Sequence, residues 1–346
     1  MISDLHKKMK HGIYTFANDV VYDQLIAFLN SIEDNAGRDV PVCIIPYNYQ
    51  TQKIEQEIKN RSHVSLFENH DSIDFWEDFM IQAWTANKTA QKSWKEQGRP
   101  AVRRVNFVRK LCSFDGPFDK FIYMDADTLL MNSVTPIFEK LDVYDWVVND
   151  FQYKSDLHYI FNPEKQDILE KIIGLEKAKS QIFCAGWFAS KKDVFNRERI
   201  AELLGYLNSG DAEVLSLRGS DQPLYNYLVS RSGISFYNVA YNNPEQATGS
   251  HWSSNFDVID HRLHDKGRRI NYIHFMSIPA AKFRNLCQGE NVNIPYQDVF
   301  LHYRYLKSPS DCPTLKDPSQ WLQLKRRLQQ LIGKIAKKVK FKLRSS

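Results

Sequence analysis

The 346-residue chain predicts an α/β fold, a doubly wound and mostly parallel sheet flanked by helices. Three observations carry this. Strand-like and helix-like segments alternate over the first 67 residues, the order of a parallel sheet with crossover helices. The apolar run Phe121-Ile122-Tyr123-Met124 reads as a buried strand and leads straight into Asp125-Ala126-Asp127. That places two carboxylates at a strand's C-terminal end, where open α/β sheets bind ligands. Finally, 43% apolar and 13% aromatic residues are enough to build a full core.

Taken in order, Gly12–Ala17 reads as the first strand and residues 20–33 as an amphipathic helix. Residues 40–45 predict a second strand, 51–60 a helix and 64–67 a third strand. The tryptophan-rich stretch 70–100 reads mostly as helix and ends near Gly98-Arg99-Pro100. Residues 101–113 predict another helix, with Val102, Val105, Val108 and Cys112 on one side and a basic face formed by Arg103, Arg104, Arg109 and Lys110. The Asp-x-Asp strand follows a turn at Gly116-Pro117. Trp146-Val147-Val148 reads as a strand ending at Asn149-Asp150, and 165–178 as a helix. Residues 182–190 read as a strand interrupted by Gly186, with helices at about 192–207 and 220–231. Tyr272–Phe275 is expected to close the sheet. A catalytic domain over 1–310 and a separate basic segment over 311–346 complete the expected organisation.

Composition limits the function classes. The formal charge of +5 comes from the C-terminus. Residues 321–346 hold nine Lys/Arg and no acid, which leaves residues 1–320 at −4, with 37 basic against 41 acidic residues. The basic overall charge is therefore no argument for nucleic-acid binding by the body. Five scattered cysteines without a C-x-x-C pair indicate neither a zinc site nor a disulfide framework. No signal peptide and no membrane-spanning run is read. The expected location is cytoplasmic, with peripheral contact at the inner face of a membrane. No G-x-G-x-x-G follows the first strand, so a dinucleotide site is unsupported.

Two carboxylates one residue apart repel unless a cation lies between them. They point to a hard divalent ion with oxygen ligands, shared with a substrate's phosphates. The plain alternative is a solvated aspartate pair at a turn.

Context makes the reading specific. Tyr123-Met124-Asp125-Ala126-Asp127-Thr128-Leu129-Leu130, preceded by Arg109-Lys110-Leu111, resembles the core of the family 8, glycogenin-like glycosyltransferases. Phe183-Cys184-Ala185-Gly186 resembles that family's N-[AS]-G strand. Ser220-Asp221-Gln222 through Asn226 resembles its D-Q-x-x-x-N helix start, and Tyr272-Ile273-His274-Phe275 its H-F-x-G strand. The four motifs stand in the family's order and cover about residues 12–285. The resemblance implies a GT-A fold and retaining transfer of a hexose from a UDP-sugar, with Mn²⁺ or Mg²⁺. It implies metal ligation by Asp125, Asp127 and His274. It puts Thr15, Asn18, Lys110, Asp125, Ala126, Ala185 and Gly186 around the donor, and Asp150, Asp221 and Gln222 at the reacting sugar. The acceptor is a carbohydrate, lipid-linked or protein hydroxyl, with no nucleic acid among the partners.

Each residue also has a plainer reading. His274 is a core histidine, Lys110 an exposed cation of a basic helix, and Thr15 and Asn18 turn residues. Ser220 or Asp221 is a helix cap, and Asp150 a loop aspartate. The chain departs from the family pattern at Cys184 (for Asn), Ser277 (for Gly) and Ala280 (for Lys), with Lys282 two residues beyond. Leu324, Leu328, Leu331, Ile332, Ile335 and Val339 share one helical face amid lysines and arginines, the pattern of a helix that lies on an anionic membrane. Two alternative functions stay open from sequence: a sugar-phosphate nucleotidyltransferase, and a non-catalytic membrane-associated adaptor on the same fold.

Overall fold

The computed structural model describes residues 10–149, 157–243, 245 and 249–317. The predicted C-terminal amphipathic segment and Asp150 lie outside these residues.

Among the described residues the central sheet has seven strands: β1 (His11–Ala17), β2 (Val42–Pro46), β3 (Val64–Leu66), β4 (Lys120–Met124), β6 (Trp146–Val148), β7 (Trp187–Lys191) and β8 (Phe236–Asn238). Their order is β3-β2-β1-β4-β7-β6-β8. Six strands run one way and β7 runs against its neighbours β4 and β6. The expected α/β architecture, mostly parallel and flanked by helices, is thus the observed one. β5 (Thr128–Leu130) leaves this sheet directly after β4.

Strand alternation explains the two layers. Tyr14, Phe16, Phe121, Tyr123, Trp146 and Phe188 face one core. Against them pack α3 (His70–Ala86), α4 (Lys88–Glu96), α8 (Arg197–Asn208) and α9 (Asp221–Arg231). Ile13, Ala17, Val42, Ile44, Ile122 and Met124 face the other core, under α1 (Tyr22–Asn35). α2 (Gln52–Ile58), α5 (Thr135–Lys140), α6 (Gln166–Ile172), α7 (Leu175–Gln181) and α10 (Val239–Asn242) complete the connections up to β9.

The C-terminal third forms its own layer. β9 (Asp257–Ile259), β10 (Arg262–Asp265) and β11 (Arg268–Arg269) make an antiparallel meander. β12 (Tyr272–His274) pairs with β5. α11 (Ala280–Cys287) and α12 (Gln297–Arg304) follow. The Asn30 amide donates to the Tyr303 carbonyl at 2.7 Å, and Arg304 pairs with Asp23 at 2.9 Å, fastening this layer to α1.

Two expectations need correction. Residues 101–113 are not an α-helix; a 3₁₀ helix spans Val105–Asp115. Val108, Leu111 and Phe114 are buried at a spacing of three, the period at which 3₁₀ side chains eclipse. Neighbours hold this long 3₁₀ run in place: Arg109 donates to the Pro46 carbonyl, Asn106 to the Tyr47 carbonyl, and Tyr225 to the Phe107 carbonyl. Tyr272–His274 does not close the central sheet; it pairs with β5 in a two-stranded ribbon, and His274 forms a further bridge with Ser250. The stretch 70–100 is mostly helix as expected, in two helices that meet at Asn87, whose side chain caps α4 by accepting from the Ala90 amide.

Candidate active site

The site lies where β1, β2 and β4 end. Asp125 and Asp127 sit on the turn between β4 and β5, closed by the Thr128 amide and hydroxyl on the Asp125 carbonyl at 3.1 and 2.7 Å. β12 runs antiparallel to β5 with His274 opposite Thr128. The Phe275 amide donates to the Asp127 carbonyl at 2.9 Å. Strand pairing therefore delivers the imidazole to the two carboxylates. His274 Nε2 stands 3.1 Å from Asp127 Oδ1 and 4.0 Å from Asp125 Oδ2. One ligand atom from each of the three residues lies within 4.8 Å of the others.

Gly186 completes this arrangement by having no side chain. A Cβ there would stand 2.4 Å from His274 Cε1 and 2.8 Å from Asp125 Oδ2. The Gly186 carbonyl accepts from the Asp125 amide at 2.9 Å, so the two backbones are locked together. Asn226 of α9 fixes the same segment from behind. It accepts from the Phe183 amide at 2.9 Å and donates to the Phe183 carbonyl at 3.0 Å.

Lys110 is only 3% exposed and does not lie on an open helix face. Its Nζ is 3.1 Å from Asp125 Oδ1 and 3.1 Å from Asp221 Oδ2, and it donates to the Ala185 carbonyl at 3.4 Å. Burial alone would lower its pKa, but Asp125 and Asp221 outweigh that and hold the ammonium above its ordinary range. Asp221 is the first residue of α9, where the helix dipole also favours negative charge. Ser220 makes no side-chain capping bond. Gln222 is half-buried beside Asp221.

Burial disfavours charge at Asp127, yet His274 and Lys110 keep its pKa below the ordinary value. His274 is shifted the opposite way: burial lowers its pKa, and Asp127 more than reverses this. Two carboxylates and one imidazole are donors that suit a divalent metal ion. The space left by Gly186 keeps all three convergent, so the residues present fit a divalent ion.

A cleft of about 530 Å³ opens beside this cluster, lined by Ala17, Asn18, Asn48, Asp125, Ala126 and Asp127 among others. Phe16, Tyr47 and Phe107 form its aromatic wall, their rings meeting edge to face at 5.2–6.1 Å. Asn18 both lines the cleft and performs turn chemistry, accepting from the Val20 amide at 3.1 Å and donating to Asn48 Oδ1 at 3.2 Å. Thr15 is fully buried in β1 and is not part of the cleft lining.

Several contributors were not read from sequence. The Tyr123 hydroxyl donates to Asp125 Oδ1; its signal was its place two residues before Asp125, on the same strand face. The aromatic wall draws its members from three segments and left no local pattern. His251 lies beside the cluster, its amide on the His274 carbonyl at 3.3 Å, and nothing in its surroundings marked it. Ser277 has φ +67° at the third position of the turn that brings the Ile278 amide to the Phe275 carbonyl at 3.0 Å. The position thus has a glycine-like conformation. Ala280, where the family carries lysine, lines the cleft, whereas Lys282 is exposed on α11.

No known protein family matches the chain in a scan of family descriptions, and no curated protein matches it in sequence. Solved structures do match in fold. The bifunctional glycosyltransferase WbbM, in its apo structure, superposes with a TM-score of 0.53 at 12% identity, over 88% of this chain and 50% of that one. Mouse xyloside xylosyltransferase 1 superposes at 0.47, with 8% identity over 65% and 83% of the two chains. The galactosyltransferase LgtC, solved with donor and acceptor sugar analogues, superposes at 0.41, with 14% identity over 65% and 72%. This chain spans half the length of WbbM. The architecture is the GT-A fold of glycosyltransferases.

Proposed function

We propose that this chain is a metal-dependent glycosyltransferase of the family 8 type, which transfers a hexose from a UDP-sugar to an acceptor hydroxyl with retention of anomeric configuration. The observation that carries the reading is the convergence of Asp125, Asp127 and His274 at the mouth of a cleft at the strand ends. The GT-A fold supports it. Asp125, Asp127 and His274 would hold Mn²⁺ or Mg²⁺, which supplies Lewis-acid stabilisation of the leaving diphosphate when bound.

The remaining roles fall to the chain's own groups. The aromatic wall of Phe16, Tyr47 and Phe107 offers flat surfaces to the base, and Asn18 an amide beside it. Ala126, Ala185 and Gly186 bring backbone close to the donor without bulk. Lys110 and the Tyr123 hydroxyl fix the Asp125 carboxylate in one orientation. Asp221, Gln222 and Asp150 orient the donor sugar and the incoming hydroxyl. Positioning and electrostatic stabilisation then carry the rate without a covalent nucleophile. Among the described residues no helix is long and apolar enough to cross a membrane. We place the protein in the cytoplasm, peripheral to a membrane through residues 321–346.

The deciding experiment is a panel of UDP-sugars assayed for UDP release with Mn²⁺, with Mg²⁺ and with EDTA. Release from at least one donor should require metal and should disappear in Asp127→Ala. Full activity in Asp127→Ala, or in EDTA, would show the reading to be wrong.

A further inference from the structure

Resting on the transferase reading, we infer that the acceptor is an anionic glycan, recognised by a cationic belt along one rim of the site. The belt runs from α4 through the loop to residue 104. It carries Lys88, Lys92, Lys95, Arg99, Arg103 and Arg104 against a single acid, Glu96. This concentration stands out on a body that is otherwise net acidic. Among the described residues none of the six cations forms an ion pair. Natural surfaces intersperse both signs of charge, so an unpaired one-sign stretch creates a directional field.

The belt is shaped. The Arg99 amide donates to the Trp94 carbonyl at 2.8 Å, and Gln91 Nε2 to the Ala101 carbonyl at 2.9 Å. These bonds fold the loop back on α4 and set Arg99 beside Lys92 and Lys95 around a concavity of about 490 Å³.

The belt is also tied to the reacting groups. Trp94 is buried and donates from its indole to the Leu217 carbonyl at 3.0 Å. Its ring lies so close to Gly219 (φ +64°) that a Cβ there would stand 2.5 Å away. Gly219 precedes Asp221 by two residues, and Arg218 is exposed with its guanidinium 4.0 Å from the ring of Tyr159. At its C-terminal end the belt passes directly into the 3₁₀ helix that carries Lys110, with Arg104 over the ring of Phe107 in the cleft wall. The belt is thus packed against the segment before Asp221 at Trp94 and adjoins the cleft at Arg104.

A glycan fits this surface better than a bilayer does. The apolar side chains of α4, Ala90 and Trp94, point into the core, and its exposed positions are Lys88, Lys92, Lys95 and Glu96. A helix that lies in a membrane presents apolar residues outward. A groove of long cations instead matches phosphate, sulfate or carboxylate groups spaced along a sugar chain.

The test uses the full chain and fluorescence anisotropy with two labelled probes, a heparin tetrasaccharide and neutral maltotetraose. The anionic probe should bind more tightly, and salt should weaken it. Lys92→Glu/Lys95→Glu/Arg99→Glu should lower that affinity by about tenfold or more, while Lys337→Glu/Lys338→Glu/Lys340→Glu in the tail leaves it unchanged. Equal binding of the two probes, or loss through the tail variant alone, overturns the inference. So does a belt variant that loses binding to phosphatidylglycerol vesicles but keeps the tetrasaccharide. The milder Lys92→Gln/Lys95→Gln/Arg99→Gln change, with unaltered thermal midpoint, guards against misfolding. UDP release without acceptor should stay at the wild-type rate in the belt variants. If no UDP-sugar is turned over by the wild type, the transferase reading fails on its own, whatever the anisotropy shows.

Discussion

Replacing Gly186 with alanine tests the geometry of the proposed metal site with a single methyl group. Gly186 does not have a positive φ, so the substitution carries no backbone penalty and acts through space alone. The methyl would lie 2.4 Å from His274 Cε1 and 2.8 Å from Asp125 Oδ2. Carbon atoms rest at about 3.5–4.0 Å, so the imidazole must retreat by about 1 Å or more. It has little freedom to do so. His274 is 4% exposed and bound to Asp127, and its backbone is paired to β5. Asp125 is held by Lys110, Tyr123 and the Gly186 carbonyl itself. Overpacking of this kind costs about 1–3 kcal/mol of stability. A misplacement near 1 Å at a reacting centre costs about 10²-fold in rate. Displaced ligands weaken metal affinity by about 10–100-fold. Mn²⁺ titration followed by electron paramagnetic resonance reads the affinity directly, and UDP release reads the rate. A Gly186→Ala protein with wild-type Mn²⁺ affinity, rate and thermal midpoint would refute the convergence on which the site is built.

Other outcomes follow from the fold. Ser277→Gly should stabilise the fold by about 0.5–1 kcal/mol, because it relieves a left-handed side-chain-bearing residue; a lower urea midpoint would contradict this. Asn226→Ala should cost about 3 kcal/mol, since it strands the amide and carbonyl of Phe183, while Asn226→Asp should retain part of that through the surviving acceptor. Burial pushes the Glu33 pKa up, but Lys307 and Arg61 outweigh it and hold the carboxyl below its ordinary 4.5. Its contribution is therefore present above that value and is lost as pH falls through the lower folded-state pKa. Thermal midpoints of wild type and Glu33→Gln should differ most near neutrality and converge in acid; a constant difference down to acid unfolding would argue against the pairing.

The first half of the sheet was legible because β1, β2 and β4 are apolar runs bounded by polar turns, and nothing competes with that pattern. The segment around Lys110 was misread because Val105, Val108 and Cys112 satisfy a helical period well enough to hide the spacing of three. Isolated from Pro46, Tyr47 and Tyr225, those residues give no reason to prefer the tighter helix. Tyr272–His274 was recognised as a strand, but its partner was not. Pairing is a property of two segments, and β5 is only three residues long. That Asp125, Asp127 and His274 come together was legible from the motif order, whereas the aromatic wall and the clamp of Asn226 on Phe183 needed the folded chain.

The β5–β12 ribbon also sets when the site can exist. The second aspartate leaves the ribosome 147 residues (127 to 274) before the imidazole. At about 5–20 residues per second, that interval lasts about 7–30 s. Until it ends, the emerging chain contains the acidic turn but neither the imidazole that meets it nor the ribbon partner of β5. A chain stopped before residue 274 therefore lacks the group that converges on Asp125 and Asp127.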